Sequence, residues 1–209
     1  MERWEWLIEG ETGIFQDPAL GCFTEDPIAL VHFAKIGRTD TVLDLGTGNG
    51  VMCLYAMARY GGTYTGIDVD EAQIALARRS AKRNGQAIRF LALRAEDAPD
   101  ALGHGAFSRI LMNPTLLSDW LHAAFLLLKN GGTVTLCYPA EQLAALFRAL
   151  DDNRLAPKRM QLTFCGQRAR LALVEAKKLG KDGLAITAVH RSGSGDRPPL
   201  PGTPTQRLV

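Results

Sequence analysis

Three carboxylates, three glycines and one Asn-Pro pair are the residues of this chain whose spacing can organise a reaction. The glycines fall in Asp44-Leu45-Gly46-Thr47-Gly48-Asn49-Gly50, between an apolar run from Thr41 to Leu45 and a helical stretch that starts near Val51. Glycine lets the backbone turn sharply and lets a ligand come close, and the helix start adds N–H groups without partners. Alone, such a loop suits nucleotide cofactors in general, or a tight turn with no ligand. Asp44 narrows the choice. A dinucleotide places its pyrophosphate over this loop, where a carboxylate would repel it. The third glycine of the dinucleotide fingerprint would also fall at position 51, which is Val51.

A cofactor with a sulfonium and an ammonium group is instead attracted by Asp44, so the loop reads as a site for S-adenosylmethionine. The alternative is that Asp44 only bonds loop amides. Asp68, in Gly66-Ile67-Asp68-Val69-Asp70, ends the next strand. An acid about 20 residues past such a loop can accept both hydroxyls of a ribose. Capping the next helix is a second role for it, although Asp70 fits that better. Asp97 follows the third strand where an acid would bond an adenine amino group, with Glu96 or a turn role competing. The expected cofactor contacts are Asp44, Gly46, Thr47, Gly48, Asp68, Val69 and Asp97. No metal is expected: Cys22, Cys53, Cys137 and Cys165 are scattered, and His32, His104, His122 and His190 lack ligand spacing.

Alternating strands and helices must position these residues. Strand patterns cover Thr41 to Leu45, Thr63 to Ile67, Ile88 to Leu91, Phe107 to Met112 and Thr133 to Tyr138. Between them lie helical stretches from Val51 to Tyr60, Asp70 to Asn84 and Leu116 to Leu128, and another helix runs from Glu141 to Leu150. This alternation predicts an α/β, Rossmann-like, doubly wound sheet that is mostly parallel. A helix is also signalled from Thr24, with Pro27 in its first turn. Leu162 to Phe164, Ala169 to Ala176 and Leu184 to Val189 read as strands. The turn Gly180-Lys181-Asp182-Gly183 is expected to join the last two as an antiparallel pair. A seven-stranded sheet closed by an antiparallel hairpin is how class I methyltransferases end. The expected division is an arm over 1–22 (a hairpin or a cover), a domain over 23–190 and a disordered tail over 191–209.

At Asn113-Pro114 the chain resembles a family. Phe107 to Asn113, an apolar strand ending in Asn-Pro, matches the fourth strand of amino-directed N6-adenine methyltransferases, which carry an Asn-Pro-Pro-Tyr type motif. From about Phe23 to Val189 the chain resembles the bacterial enzymes that N6-methylate adenine-37 of tRNA(Val). Phe23-Thr24-Glu25-Asp26 is similar to their Phe-Ser-x-Asp entrance segment. Lys129-Asn130-Gly131-Gly132, and the stretch from Lys177 to Leu184, are also similar to theirs. The resemblance implies that Asn113 and Pro114 are catalytic, accepting the two N–H bonds of adenine N6 and aligning the amine with the methyl group. It implies substrate contacts at Phe23 and at position 116. Here the motif departs: Thr115 stands for the second proline, Leu116 for the aromatic residue that stacks on the base, and the segment before the helix is shorter. Phe23 or Trp120 can take over the stacking.

The 209 residues, 46% hydrophobic and 22% charged, suit one domain with a small extension. Apolar runs such as Ala123 to Leu128 are too short to span a bilayer. Glu2, Glu5, Glu9 and Glu11 stand where a signal peptide is basic and then apolar, so a cytoplasmic location is expected. Residues 151–209 hold 11 Lys/Arg against 5 Asp/Glu, whereas residues 1–150 hold 13 against 17. The basic third fits a polyanion such as tRNA, with Lys158, Arg159, Arg168, Arg170, Lys177 and Lys178 as candidate phosphate contacts, or is a solvated face. The leading expectation is a methyltransferase acting on adenine N6 in tRNA. The alternatives are a cofactor-binding homologue that binds RNA or protein without transfer, and a methyltransferase of small molecules.

Overall fold

Apolar runs that end at glycine or aspartate become strands, and the stretches between them become helices packed on both faces. A computed structural model describes residues 1–20, 26–114 and 117–189. An antiparallel hairpin, β1 (Arg3–Ile8) and β2 (Thr12–Gln16), precedes helix α1 (Asp26–Phe33). Then follow β3 (Thr41–Leu45), α2 (Val51–Tyr60), β4 (Thr63–Asp68), α3 (Glu71–Asn84), β5 (Arg89–Ala92) and the short α4 (Ala98–Leu102). The chain continues through β6 (Phe107–Met112), α5 (Ser118–Leu127), β7 (Leu128–Pro139), α6 (Leu143–Asp152), β8 (Leu155–Cys165), β9 (Arg168–Lys178) and β10 (Ala185–Val189).

The main sheet runs β10-β8-β9-β7-β6-β3-β4-β5. Its central pairs are parallel, and β9 is antiparallel to both β7 and β8. Seven of the strands give the expected architecture, and β10 adds an eighth at the edge. The closing hairpin is β8–β9, turned at Gly166, whereas the segment 180–183 does not form the expected antiparallel turn. It leads to β10, which pairs parallel with β8. The reason is edge availability: β9 already has β7 on one side and β8 on the other. Lys129 to Gly132 is likewise part of β7, with a register shift against β6 between Phe107 and Arg109 that absorbs the extra residues.

Two apolar clusters cover the sheet. One gathers Leu43, Ile110, Leu121, Leu127 and Leu146; the other gathers Leu30, Val42, Leu54, Tyr55 and Leu111. Adjacent residues of β3 and β6 point to opposite sides, as period-2 alternation requires. α1 is tied to α2 by His32, whose two ring nitrogens meet the hydroxyls of Tyr55 and Tyr60, each at 2.9 Å. No described helix is long and apolar enough to cross a membrane.

The amino-terminal hairpin lies on α3. Asn84 Oδ1 accepts from Gly13 N at 3.0 Å, and its Nδ2 donates to Gly13 O at 2.7 Å. Ser80 Oγ accepts from Phe15 N at 2.9 Å, and Arg83 lies over the Trp4 ring at 4.0 Å. Residues 21–25 and 190–209, and so the predicted tail and Phe23, lie outside the described residues. Asn84→Ala removes the side-chain partners of both backbone polar groups of Gly13. It is expected to lower unfolding free energy by about 1–3 kcal/mol in urea titration.

Candidate cofactor and acceptor site

The chemistry-bearing residues meet at the carboxyl ends of three adjacent strands. Register pairs Leu45 of β3 with Ile67 of β4 and Met112 of β6. Gly46, Asp68 and Asn113 are each the next residue, so they stand level across the sheet. Ile67 O accepts from both Gly46 N (2.9 Å) and Thr47 N (2.8 Å), bending the glycine loop over the end of β4.

The three glycines have different duties. Gly46, Gly48 and Gly50 all have positive φ (79°, 52° and 86°). A Cβ on Gly50 would lie 2.8 Å from the Phe90 ring and 3.0 Å from Ala77, so Gly50 serves helix–sheet packing. A Cβ on Gly48 would meet nothing within 4 Å, which leaves its backbone open to a ligand. A Cβ on Gly46 would collide with Trp120.

Asp44 is fully buried. Its Oδ2 accepts from the Thr47 hydroxyl at 2.7 Å, with the Cys53 thiol 3.8 Å away, and its Oδ1 has no partner. Burial pushes its pKa up to about 7; Thr47 opposes the shift, and the charge of Asp68 adds to it. Asp44 accepts from the Thr47 side chain rather than from loop amides, and a buried carboxylate oxygen without a donor suits a cationic group. Thr47 serves Asp44 through its side chain, and any ligand contact it makes is through its backbone.

Asp68 is half-buried. Its Oδ2 accepts from Gly48 N at 2.8 Å and its Oδ1 from Asp70 N at 3.0 Å. Each carboxylate oxygen keeps a lone pair for a hydroxyl. Asp70, not Asp68, caps α3, accepting from Ala72 N and Gln73 N. Val69 beside it is an exposed apolar side chain, 68% accessible. Asp97 precedes α4, is exposed and makes no side-chain cap hydrogen bond, whereas Glu96 pairs with Arg94 at 3.3 Å.

Asn113 is exposed and Pro114 half-buried; Thr115 and Leu116 lie outside the described residues. Cys137 of β7 donates its S–H to Asn113 Oδ1 at 2.9 Å. In the sequence Cys137 is only one of four scattered cysteines. The signal it lacked was register, since Met112 pairs with Leu136 and so puts Asn113 beside Cys137. Burial, then the nearby charge of Asp26, pushes the Cys137 thiol up to about 12, so it stays a donor. Asp26, the first residue of α1, pairs with Arg170 of β9. Asp26 thus lies close enough to Cys137 for its charge to act on the thiol.

Most of the six basic residues considered for phosphate contact are engaged within the chain. Arg159 binds Glu175 at 2.8 Å and Phe33 O at 2.7 Å, and Arg168 pairs with Glu141 at 2.7 Å. Lys178 is buried and donates to Leu128 O at 2.8 Å; Lys158 donates to Lys181 O; Lys177 is exposed. Among the described residues there is no group of His, Cys, Asp and Glu that could hold a metal ion.

A family profile described as "Methyltransferase domain" matches residues 42–132, the span from β3 through the start of β7. A predicted O-methyltransferase of Agrobacterium tumefaciens superposes with a TM-score of 0.73, at 24% identity over 84% of this chain and 91% of that one. The fold is that of the class I methyltransferases. TrmN from Thermus thermophilus is 31% identical over 72% of this chain and 48% of its own, with a TM-score of 0.63. The ribosomal protein L11 methyltransferase of Thermus thermophilus is 42% identical over 85 residues. The match takes in 41% of this chain but only 31% of that protein, so this chain spans about a third of that relative's length.

Asp44 has a measurable consequence without any ligand. Its folded pKa, about 7, exceeds the ordinary 3.8, so the folded state holds an extra proton between those values. Stability from this group is greatest below pH 4, falls as pH rises to about 7 and is then level. Asp44→Asn is expected to abolish this part of the pH dependence and to stabilise the ligand-free protein at pH 8 by a few kcal/mol. The difference between wild-type and variant unfolding free energies, measured from pH 4 to 8, checks it.

Proposed function

We propose that this chain binds S-adenosylmethionine and transfers its methyl group to an exocyclic amine of an RNA base, adenine N6 in tRNA being the leading acceptor. The observation that carries the reading is the alignment of Asn113 with Gly46 on neighbouring strands, beside a buried carboxylate that lacks a donor. The methyltransferase fold and the likeness to the Asn-Pro strand of amino-directed enzymes support it.

In this reading Asp44 faces the cofactor's ammonium, the open backbone of Gly48 lies beneath its sugar, and Asp68 accepts from the ribose hydroxyls. Val69 offers an apolar face to the adenine, and Asp97 accepts from its amino group. The cofactor, when bound, supplies an electrophilic methyl group. Asn113 Oδ1 has two lone pairs; one takes the Cys137 thiol and the other is available to an acceptor N–H. Pro114 O accepts the second N–H. Both bonds favour a pyramidal nitrogen, whose lone pair is then less delocalised into the ring. Phe23 and Leu116 are assigned to the acceptor's surroundings, and the domain to residues 23–190 with 1–22 as an arm.

A second reading, a cofactor-binding protein without transfer activity, draws on Leu116 in place of the stacking aromatic. Labelled S-adenosylmethionine and unmodified total tRNA separate the two. Transfer to adenine that falls about a hundredfold or more in Asn113→Ala supports the first reading. Cofactor binding with no transfer to tRNA removes it and leaves the second.

Cofactor affinity is expected to depend on pH through Asp44. A cation prefers the ionised carboxylate, which is half-populated near pH 7 and mostly protonated at pH 6. Calorimetry should show binding about tenfold weaker at pH 6 than at pH 8, and no such slope in Asp44→Asn.

A further inference from the structure

Trp120 stands in the first turn of α5, and its ring lies against the glycine loop. An ideal Cβ at Gly46 would come within 2.4 Å of Trp120 Cη2 and 2.6 Å of Cζ3, so the six-membered ring rests on the backbone of Gly46. Part of the indole packs on the core with Leu121 and Leu127, and part is accessible. Two residues before Gly46 is Asp44, with Oδ1 buried and without a partner. The loop therefore has two sources of negative potential at its start: a carboxylate, and the π system of an indole whose faces attract cations.

We propose that Trp120 is the aromatic wall of the cofactor pocket and that it distinguishes the sulfonium cofactor from its neutral thioether product. The inference rests on the reading that the loop takes S-adenosylmethionine, and deepens it. The cofactor carries two positive centres, an ammonium and a sulfonium. Asp44 answers the first. Trp120, reaching the same loop from the opposite strand connection, answers the second through cation–π attraction. S-adenosylhomocysteine keeps the ammonium and the adenosine but lacks the S-methyl group and the sulfonium charge, so it loses the attraction to the indole. Trp120 is a positioning residue that favours binding of the charged form over the spent one. It also gives the pocket the aromatic surface that position 116 lacks.

The test is calorimetric binding of S-adenosylmethionine and S-adenosylhomocysteine to wild type, Trp120→Ala and Trp120→Phe, with thermal unfolding to show that each variant folds. The expected result in Trp120→Ala is a loss of about five- to thirtyfold for S-adenosylmethionine and less than about threefold for S-adenosylhomocysteine. Trp120→Phe, which keeps a π face, should restore most of the preference. Equal losses for both ligands, or none for either, overturn the role of Trp120 while leaving the cofactor reading intact. Should Trp120→Ala fail to fold, an unchanged preference in Trp120→Phe relative to a folded Trp120→Leu supports nothing but packing and overturns the proposal; a preference kept by Phe and lost by Leu upholds it. Failure of both ligands to bind the wild type overturns the cofactor reading and this inference together.

Discussion

The buried carboxylate of Asp44, at the end of the central strand, is the constraint to which the surrounding structure answers. Removing such a group from water costs several kcal/mol unless it is paired or takes up a proton. Here one oxygen is bonded by Thr47 and the other is left open. The hydrogen bonds of Gly46 and Thr47 to Ile67 fold the loop over β4 and hold Thr47 where it can reach back. The same fold sets Gly48 N on Asp68, so a second acid is tied to the loop that carries the first. The two acids raise each other's energy. A cationic ligand relieves that strain, and a fold that keeps it in the ligand-free state gives up stability for binding.

Much of this was legible in the sequence, and the limits have physical causes. Asp44, the glycines and Asp68 could be placed because each follows a short apolar run, and strand ends in a parallel sheet gather on one edge. The capping role of Asp70 was legible from local chemistry alone. Position along the chain does not reveal register, and so hid the Cys137–Asn113 bond. Nor does it reveal which edge of a strand is free, and so the path from β9 to β10 was read as a hairpin. The sequence offered no separate duty for Gly50, which answers to Phe90 of a strand 40 residues later. Tertiary neighbours, not spacing, decide which glycine is open to a ligand.

The charge asymmetry was a weaker guide. Counting Lys and Arg in the last third treats each as available to a polyanion, but β8 and β9 bring them together with acids from distant elements. Glu175, buried on β9, binds Arg159 at 2.8 Å and lies 3.6 Å from Arg109, which also reaches Asp40. These residues fasten the antiparallel hairpin to the parallel half of the sheet. A buried carboxylate between two guanidiniums loses more from removal of one partner than a surface pair would. The structural work of these arginines thus stands apart from any contact with RNA, and a basic composition in this region is no measure of an RNA-facing surface.

The short connection between β6 and α5 brings the helix close to the glycine loop and to Asn113. Only residues 113–117 separate the two elements, so α5 must begin close to the end of β6. That places Trp120 in the first turn on Gly46, while Asn113 remains level with the same glycine across the strand pair. A longer segment would relax that constraint. With so short a segment, the helix itself brings aromatic surface to the loop. Gly46 must then be glycine for two reasons: its φ of 79°, and the ring that lies where a side chain would be. Positive φ and the indole laid against the loop by α5 together hold position 46 to glycine.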